Sequence, residues 1–296
     1  MKLATYKRTA IFAGLLLFLT GCAVSHPPSE SRSDAQLTPP TGFTRDLVSL
    51  PKPKGKIAAA VYGFRDQSGQ YKSSPDSSFS TAVTQGGTAL LIKALSESGW
   101  FIPVERENLQ NLLTERKIVR ALEGALTPNA APIVIPQLVP ASILIEGGVI
   151  SFESNVRTGG AGARFLGIGL STQYRVDQVS VNLRSVDIRG GQILQSVSTT
   201  KTIYSYEVNP SVFKFVNFKN LLEIEAGMTR NEPAQMCVRE AIEAAVGHLI
   251  VQGVRDGNWE LKTPSEFSSS LIQKYLREGM DVPLRMATAS DRSKHQ

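Results

Sequence analysis

Apolar and polar residues sort along this chain into two periods, and the changes of period mark its elements. A helical period is predicted over residues 80–96, with Ala82, Ala89, Leu90, Ala94 and Leu95 on one side and Ser80 as the cap. A second helix is predicted over 108–120, with Leu109, Leu112 and Leu113 inward. The strongest helix opens at Asn231-Glu232-Pro233, carries Val238, Ile242, Ala245, Leu249 and Val254, and stops at Gly257. Short apolar runs at 57–64, 101–104 and 142–150 read as strands. Two more, 179–188 and 193–202, flank Arg189-Gly190-Gly191, a hairpin turn signal. These elements make an α/β domain with a mixed sheet.

Four further stretches alternate with period two. The first sets Ile150, Phe152 and Val156 against Ser151, Glu153, Asn155 and Arg157. The second sets Leu166, Ile168, Leu170, Tyr174 and Val176 against Gly167, Gly169, Ser171, Gln173, Arg175 and Asp177. The third sets Tyr204, Tyr206, Val208 and Val212 against Ser205, Glu207, Asn209 and Ser211. The fourth sets Leu222, Ile224, Ala226 and Met228 against Glu223, Glu225, Gly227 and Thr229. Gly159-Gly160-Ala161-Gly162 separates the first pair and residues 217–220 the second, so 150–178 and 204–230 are predicted hairpins. Each strand is long enough to cross a bilayer when tilted. Aromatic residues gather at both ends of the second hairpin, as in interfacial girdles: Tyr204 and Tyr206 at one, Phe213, Phe215 and Phe218 at the other.

A water-soluble antiparallel sheet with one wet face has the same alternation. Gly167 and Gly169 on the polar side favour a membrane wall, because they offer no side chain to a packed core. Strands in lipid cannot leave open edges. Four strands do not close a useful barrel, so two transmembrane hairpins per subunit must join those of other chains in a closed ring. The hydrated lumen wall is then expected to carry Arg157, Gln173, Arg175, Asp177, Glu207, Glu223 and Glu225.

The N-terminus changes the picture further. Lys2, Lys7 and Arg8 precede an apolar run at 11–19 that is too short to span a bilayer as a helix. It ends in Leu19-Thr20-Gly21-Cys22, a lipobox. Residues 1–21 are read as a signal peptide, cleaved so that Cys22 takes a covalent diacylglycerol and an N-acyl chain; an ordinary secretory signal is the alternative. Ala23, where an aspartate would favour inner-membrane retention, points to the outer membrane. Residues 22–55, rich in Pro, Ser and Thr, read as an extended tether. The body is expected in 56–149, 179–203 and 231–264. A docking helix with Leu271, Tyr275 and Leu276, followed by a tail, is expected in 265–296.

Charge and cysteine content exclude more than they suggest. The formal charge of +6 falls to +3 once Lys2, Lys7 and Arg8 leave with the signal, which removes the case for nucleic acid. With Cys22 acylated, Cys237 has no partner for an intrachain disulfide. The histidines, His26, His248 and His295, are scattered. No HExxH, GxSxG or CxxC occurs, and the glycines of 159–169 do not open a helix after a strand. No metal, cofactor or catalytic residue is therefore expected.

A family resemblance rests on ordered motifs. They include residues 56–64, Gly69-Gln70-Tyr71-Lys72, Phe79-Ser80-Thr81-Ala82-Val83, Trp100-Phe101-Ile102-Pro103-Val104-Glu105-Arg106 and Leu109-Gln110-Asn111-Leu112-Leu113. Glu115-Arg116-Lys117-Ile118, Glu153-Ser154-Asn155-Val156, Gly162-Ala163-Arg164, Gly167-Ile168-Gly169, Thr172-Gln173-Tyr174, Ser205-Tyr206-Glu207-Val208 and Asn231-Glu232-Pro233 continue them. Over about 50–285 the chain resembles the curli secretion channel family, CsgG. The resemblance implies a ring of about nine lipoproteins in the outer membrane, closing a barrel of about 36 strands. It implies a periplasmic α/β vestibule and unfolded curlin subunits that diffuse out without nucleotide hydrolysis. It also implies a periplasmic cap protein, CsgE, and a surface accessory protein, CsgF, as partners.

The same resemblance places the channel constriction in the loop 70–79. The family's narrowest ring uses Tyr, Asn and Phe; the matching positions here are Ser74, Ser78 and Phe79. Phe79 is retained and the two serines depart, so a wider ring is expected at Ser74. The rival reading is a periplasmic, lipid-anchored regulator of cell-wall synthases, which shares the soluble fold and lacks the two hairpins. A tethered enzyme is a third.

Overall fold

The computed structural model describes residues 35, 37–72, 80–126, 134–158, 173–209, 212–216 and 232–279. The described residues from Pro40 onward belong to one compact unit. The sheet has six strands in the order β2-β1-β3-β4-β5-β6. These are β1 (Ile57–Asp66), β2 (Phe101–Glu105), β3 (Ile143–Thr158), β4 (Gln173–Asp187), β5 (Ile193–Asn209) and β6 (Val212–Val216). β1 pairs in parallel with β2 and with β3, and the remaining neighbours are antiparallel. Parallel neighbours need crossovers. Helices α2 (Gly87–Glu97) and α3 (Leu109–Leu126) lie on those two connections.

One side of the sheet is covered and the other is wet. In β4 Val179, Val181, Leu183 and Ser185 are buried, while Arg184 is exposed and Ser180 and Asn182 are half-buried. On the wet side the strands are linked by polar side chains. Ser180 and Thr200 share a hydrogen bond of 2.9 Å, Asn182 donates to Ser198 at 3.0 Å, and Arg184 Nε donates to Glu146 at 2.9 Å. Helix α4 (Glu232–Arg255) lies over β4 and β5 on the covered side.

The middle of α4 is buried all round: Val238, Ala241, Ile242, Ala245, Val246, Leu249 and Ile250 are each at most 1% exposed. It has the sheet beneath it, and α1 (Gly42–Ser49), α2 and a C-terminal helix α5 (270–279) around it. Each large side chain so buried stabilises the fold by about 1.5–3 kcal/mol. At its end, Gly253 leaves room for Trp259, whose indole ring lies 2.0 Å from where a Cβ would stand. The Trp259 N–H donates to the Ile250 carbonyl at 2.8 Å. Gly257, at φ +74°, then stops the helix as expected.

The hairpin between β4 and β5 closes as the turn signal predicts: Gly191 N–H donates to Asp187 O at 2.8 Å and Asp187 N–H to Gln192 O at 2.8 Å. Other expectations are corrected. The helix predicted from Ser80 begins at Gly87, because the Ser80 carbonyl and Ala82 amide pair with Lys72 and Gln70. The helix predicted to end at residue 120 continues to Leu126 as α3, with Leu109, Leu112 and Leu113 only half-buried.

Part of the predicted tether is folded. Residues 42–49 form α1, started by a Thr41/Thr44 capping box. Leu47 and Leu50, three residues apart, are 0% and 5% exposed in the core. The prolines that suggested an extended chain follow this helix. Pro51 O accepts the Trp100 indole N–H at 2.9 Å, and Pro53 bridges to Leu261.

The expected C-terminal docking helix is α5. Tyr275 and Ile272 are each 1% exposed, and Lys274 pairs with Asp46 of α1 at 2.6 Å. His248 of α4 sits edge-on to the Tyr275 ring, 4.8 Å between centroids, and 3.3 Å from Glu278. Burial holds the imidazole below its ordinary value; Glu278 opposes this and Lys274 adds to it. The unfolded chain therefore takes up the proton first, near pH 6.5. The stability tied to neutral His248 is complete above that pH and is lost as pH falls toward the folded value. Urea unfolding at pH 7 and pH 5 should show a larger loss in the wild type than in His248→Gln; equal losses would show that His248 does not drive the difference.

Candidate functional site

Strands β3, β4 and β5 run for 16, 15 and 17 residues, against about 5–6 for an ordinary strand. At about 3.3 Å per residue, β5 alone reaches roughly 55 Å. The covered side stays buried as far as Phe152, Asp177 and Ile203. Beyond these the strands continue: β3 pairs with β4 to Thr158↔Gln173, and β4 with β5 to Tyr174↔Tyr206. The hairpins are thus extensions of the core sheet, with a shift of register in β3 between Val149 and Ser151 at the base of the first.

A charged network fixes their base. Lys201 of β5 forms an ion pair with Glu240 of α4, whose side chain is 8% exposed. Thr199 Oγ1 donates to the Ala241 carbonyl at 2.7 Å. One turn further, Glu243 accepts Arg239 Nε at 2.9 Å and Thr44 Oγ1 at 2.8 Å, and it also accepts the Thr41 hydroxyl. Glu240 therefore ties α4 to the sheet, and Glu243 ties it to α1. Cys237 is fully buried beside the Asp177 carbonyl, and burial pushes its thiol far up, so it stays protonated and unreactive. Sequence reading missed this network. The Arg239–Glu243 spacing of four on a helix was its available signal.

The loop expected to form a constriction has a defined neck. Lys72 N–H donates to Ser80 O and Ala82 N–H to Gln70 O, each at 2.9 Å, around a Tyr71↔Thr81 bridge. The neck follows the end of β1, where Asp66 pairs with Val149 and Gln67 N–H donates to Val149 O at 2.8 Å. That is the end of the sheet from which the hairpins leave.

The predicted site residues fall into three groups. In β3 and β4 Arg157 stands opposite Tyr174, while Gln173 and Arg175 stand opposite Thr158 and Val156, so this register puts Arg157 on the other face from Gln173 and Arg175; Glu207 lies in β5 opposite Phe213. Two expectations are corrected. Asp177 is not on a hydrated wall; it is 5% exposed, on the side covered by α4 with Val179 and Val181. Phe152, expected on the outer face, is 9% exposed in the core, opposite Val179. Cys22, Ser74, Ser78, Phe79, Glu223 and Glu225 lie outside the described residues.

The second hairpin also turns earlier than predicted. β5 ends at Asn209 and β6, from Val212, pairs back along it as far as Tyr204↔Val216, so Val212 begins the return strand. The intervening Pro210 has no N–H for a ladder, and Asn-Pro favours a turn. Among the described residues no helix is long and apolar enough to cross a membrane.

These features define a class: an α/β domain that projects its own sheet strands past its helix layer as long antiparallel hairpins. Residues 42–279 match the family described as curli production assembly/transport component CsgG, and the chain belongs to this family. It is 46% identical over 270 residues to the curli production assembly/transport component CsgG of Escherichia coli K12, covering 90% of this chain and 96% of that one. It is 47% identical over 262 residues to the protein of the same description from Salmonella typhimurium, covering 88% and 94%.

Removing one partner of the Lys201–Glu240 pair leaves a buried charge. Lys201→Met should cost about 2–3 kcal/mol in urea unfolding, less than for a fully buried pair because Lys201 keeps some water. Adding Glu240→Leu should recover most of it; no recovery would remove the ion pair as the cause.

Proposed function

We propose that this protein is a subunit of an oligomeric outer-membrane channel that exports unfolded curli subunits by diffusion, without nucleotide hydrolysis. The observation that carries the reading is the continuation of β3, β4 and β5 beyond the helix layer, in a chain that belongs to the CsgG family. Free strand edges in lipid are too costly to persist. Hairpins from neighbouring copies satisfy them by closing a ring, of about nine subunits in the family and so of about 36 strands. Lipid on Cys22 holds the chain at the membrane, and more than one acyl chain makes that anchoring stable.

The lumen wall is assigned to Arg157, Gln173, Arg175, Glu207, Glu223 and Glu225. The constriction is assigned to Ser74, Ser78 and Phe79, in the loop whose neck lies at the hairpin end of the sheet. A collar of side chains there admits an extended polypeptide and excludes folded domains. The cargo is curlin subunits, the periplasmic cap is CsgE and the surface accessory is CsgF.

Single-channel recording of the acylated, detergent-extracted protein in a planar bilayer tests this reading. Uniform steps of large conductance are expected; absence of steps from folded, acylated protein would overturn it. Ser74→Tyr should lower the step size, and an unchanged step would remove Ser74 from the constriction.

A further inference from the structure

A bulge in β3 decides which residues of the first hairpin share a face. Before it, Val149 stands opposite Val181, and both are buried on the covered side. The register shifts between Val149 and Ser151, so Ile150 is the extra residue, 46% exposed. After it, Asn155 stands opposite Val176, Val156 opposite Arg175 and Arg157 opposite Tyr174. Directly opposed residues belong to one face of a sheet. In this register, polar positions of β3 therefore match apolar positions of β4. The β4–β5 pairing is sorted, with Val176 opposite Tyr204 and Arg175 opposite Ser205. A wall between lipid and water cannot use the mixed arrangement, because a charge turned to hydrocarbon is costly.

Side chains alternate with period two, so a slip of one residue exchanges the faces of a strand. We propose that the first hairpin has two registers. The bulged register seen here stores Phe152 in the core of the unassembled chain. A bulge-free register, displaced by one residue, is adopted when the hairpin joins a membrane wall. The proposal rests on the channel reading.

In the second register the Val149↔Val181 pairing continues without a break. Asn155 then meets Arg175, Arg157 meets Gln173 and Val156 meets Tyr174. Ile150, Phe152 and Val156 share one face with Tyr174 and Val176. Glu153, Asn155 and Arg157 share the other with Gln173, Arg175 and Asp177. Glu153 comes opposite Asp177, a pairing of acids that requires water and the nearby Arg175. Asp177 is 5% exposed under α4 here, so the slip also requires the start of α4 to lift from it. Assembly and the seating of α4 are coupled in this way.

Cysteine pairs read the register, since a disulfide needs Cα atoms about 4.4–6.8 Å apart and side chains on one face. In a Cys237→Ser background, Asn155→Cys with Val176→Cys should cross-link in the unacylated Cys22→Ala chain in water. Asn155→Cys with Arg175→Cys should cross-link in acylated, conducting protein. The same pair reacting in both states would overturn the switch, whichever pair it is. If a pair prevents folding, Phe152→Trp serves instead: its fluorescence should resist acrylamide in water and be quenched by brominated lipid in the pore. Resistance to brominated lipid in a conducting pore would overturn the proposal.

Deleting Ile150 separates this proposal from the channel reading. The deletion makes the first pairing regular and leaves no residue for the second. The chain should fold in water but lose conductance while the wild type conducts. Wild-type conductance from the deleted chain would overturn the switch; a silent wild type would instead overturn the channel.

Discussion

The seat of α4 on β4 and β5 governs the rest of the molecule. A sheet with one apolar face is stable only when that face is covered. α4 covers it across Val179, Val181, Leu183 and Val197, and is itself enclosed by α1, α2 and α5. The helix layer stops near Phe152, Asp177 and Ile203 while the strands do not. The body and the hairpins therefore have no linker between them. A movement of the helix is felt in the hairpin base.

Charge makes that seat specific. Glu240 and Glu243 are 6% and 3% exposed, and each is paired. A slide of α4 along the sheet by a turn would already separate Gly253 from the Trp259 ring that fills its place. Two buried carboxylates that must each meet a particular cation forbid it, since an unpaired buried charge is among the costliest defects a fold can carry. Glu240 sets the position against β5, and Glu243 sets it against α1.

Much of this architecture was legible in the sequence because its signals are local. The apolar positions of α4, the Gly190-Gly191 turn and the strands β1 and β2 follow from period and turn chemistry. α1 was hidden because the surrounding prolines dominate the composition, although Thr41, Thr44, Leu47 and Leu50 held the cap and the apolar spacing. Asp177 was legible too: two residues from Val179 in the same strand, it belongs to the covered face. The pairing of β3 with β4 was not legible. Alternation says which residues share a face within a strand, and a bulge can change which face that is. In this structure the bulge places Phe152 in the core. The lumen positions were read from the alternation of the four stretches, whereas the loop 73–79 was reached through family resemblance, since nothing in its local pattern points to a constriction.

The neck formed by Gln70, Lys72, Ser80 and Ala82 is closed by two main-chain hydrogen bonds. No side chain of residues 73–79 contributes to those two bonds. The sequence of that stretch can therefore vary while its two ends remain pinned to each other. In the channel proposed here the gauge of the gate is evolutionarily separable from the frame that holds it: a lineage can trade an aromatic for a serine, retune what passes, and leave the folding problem untouched.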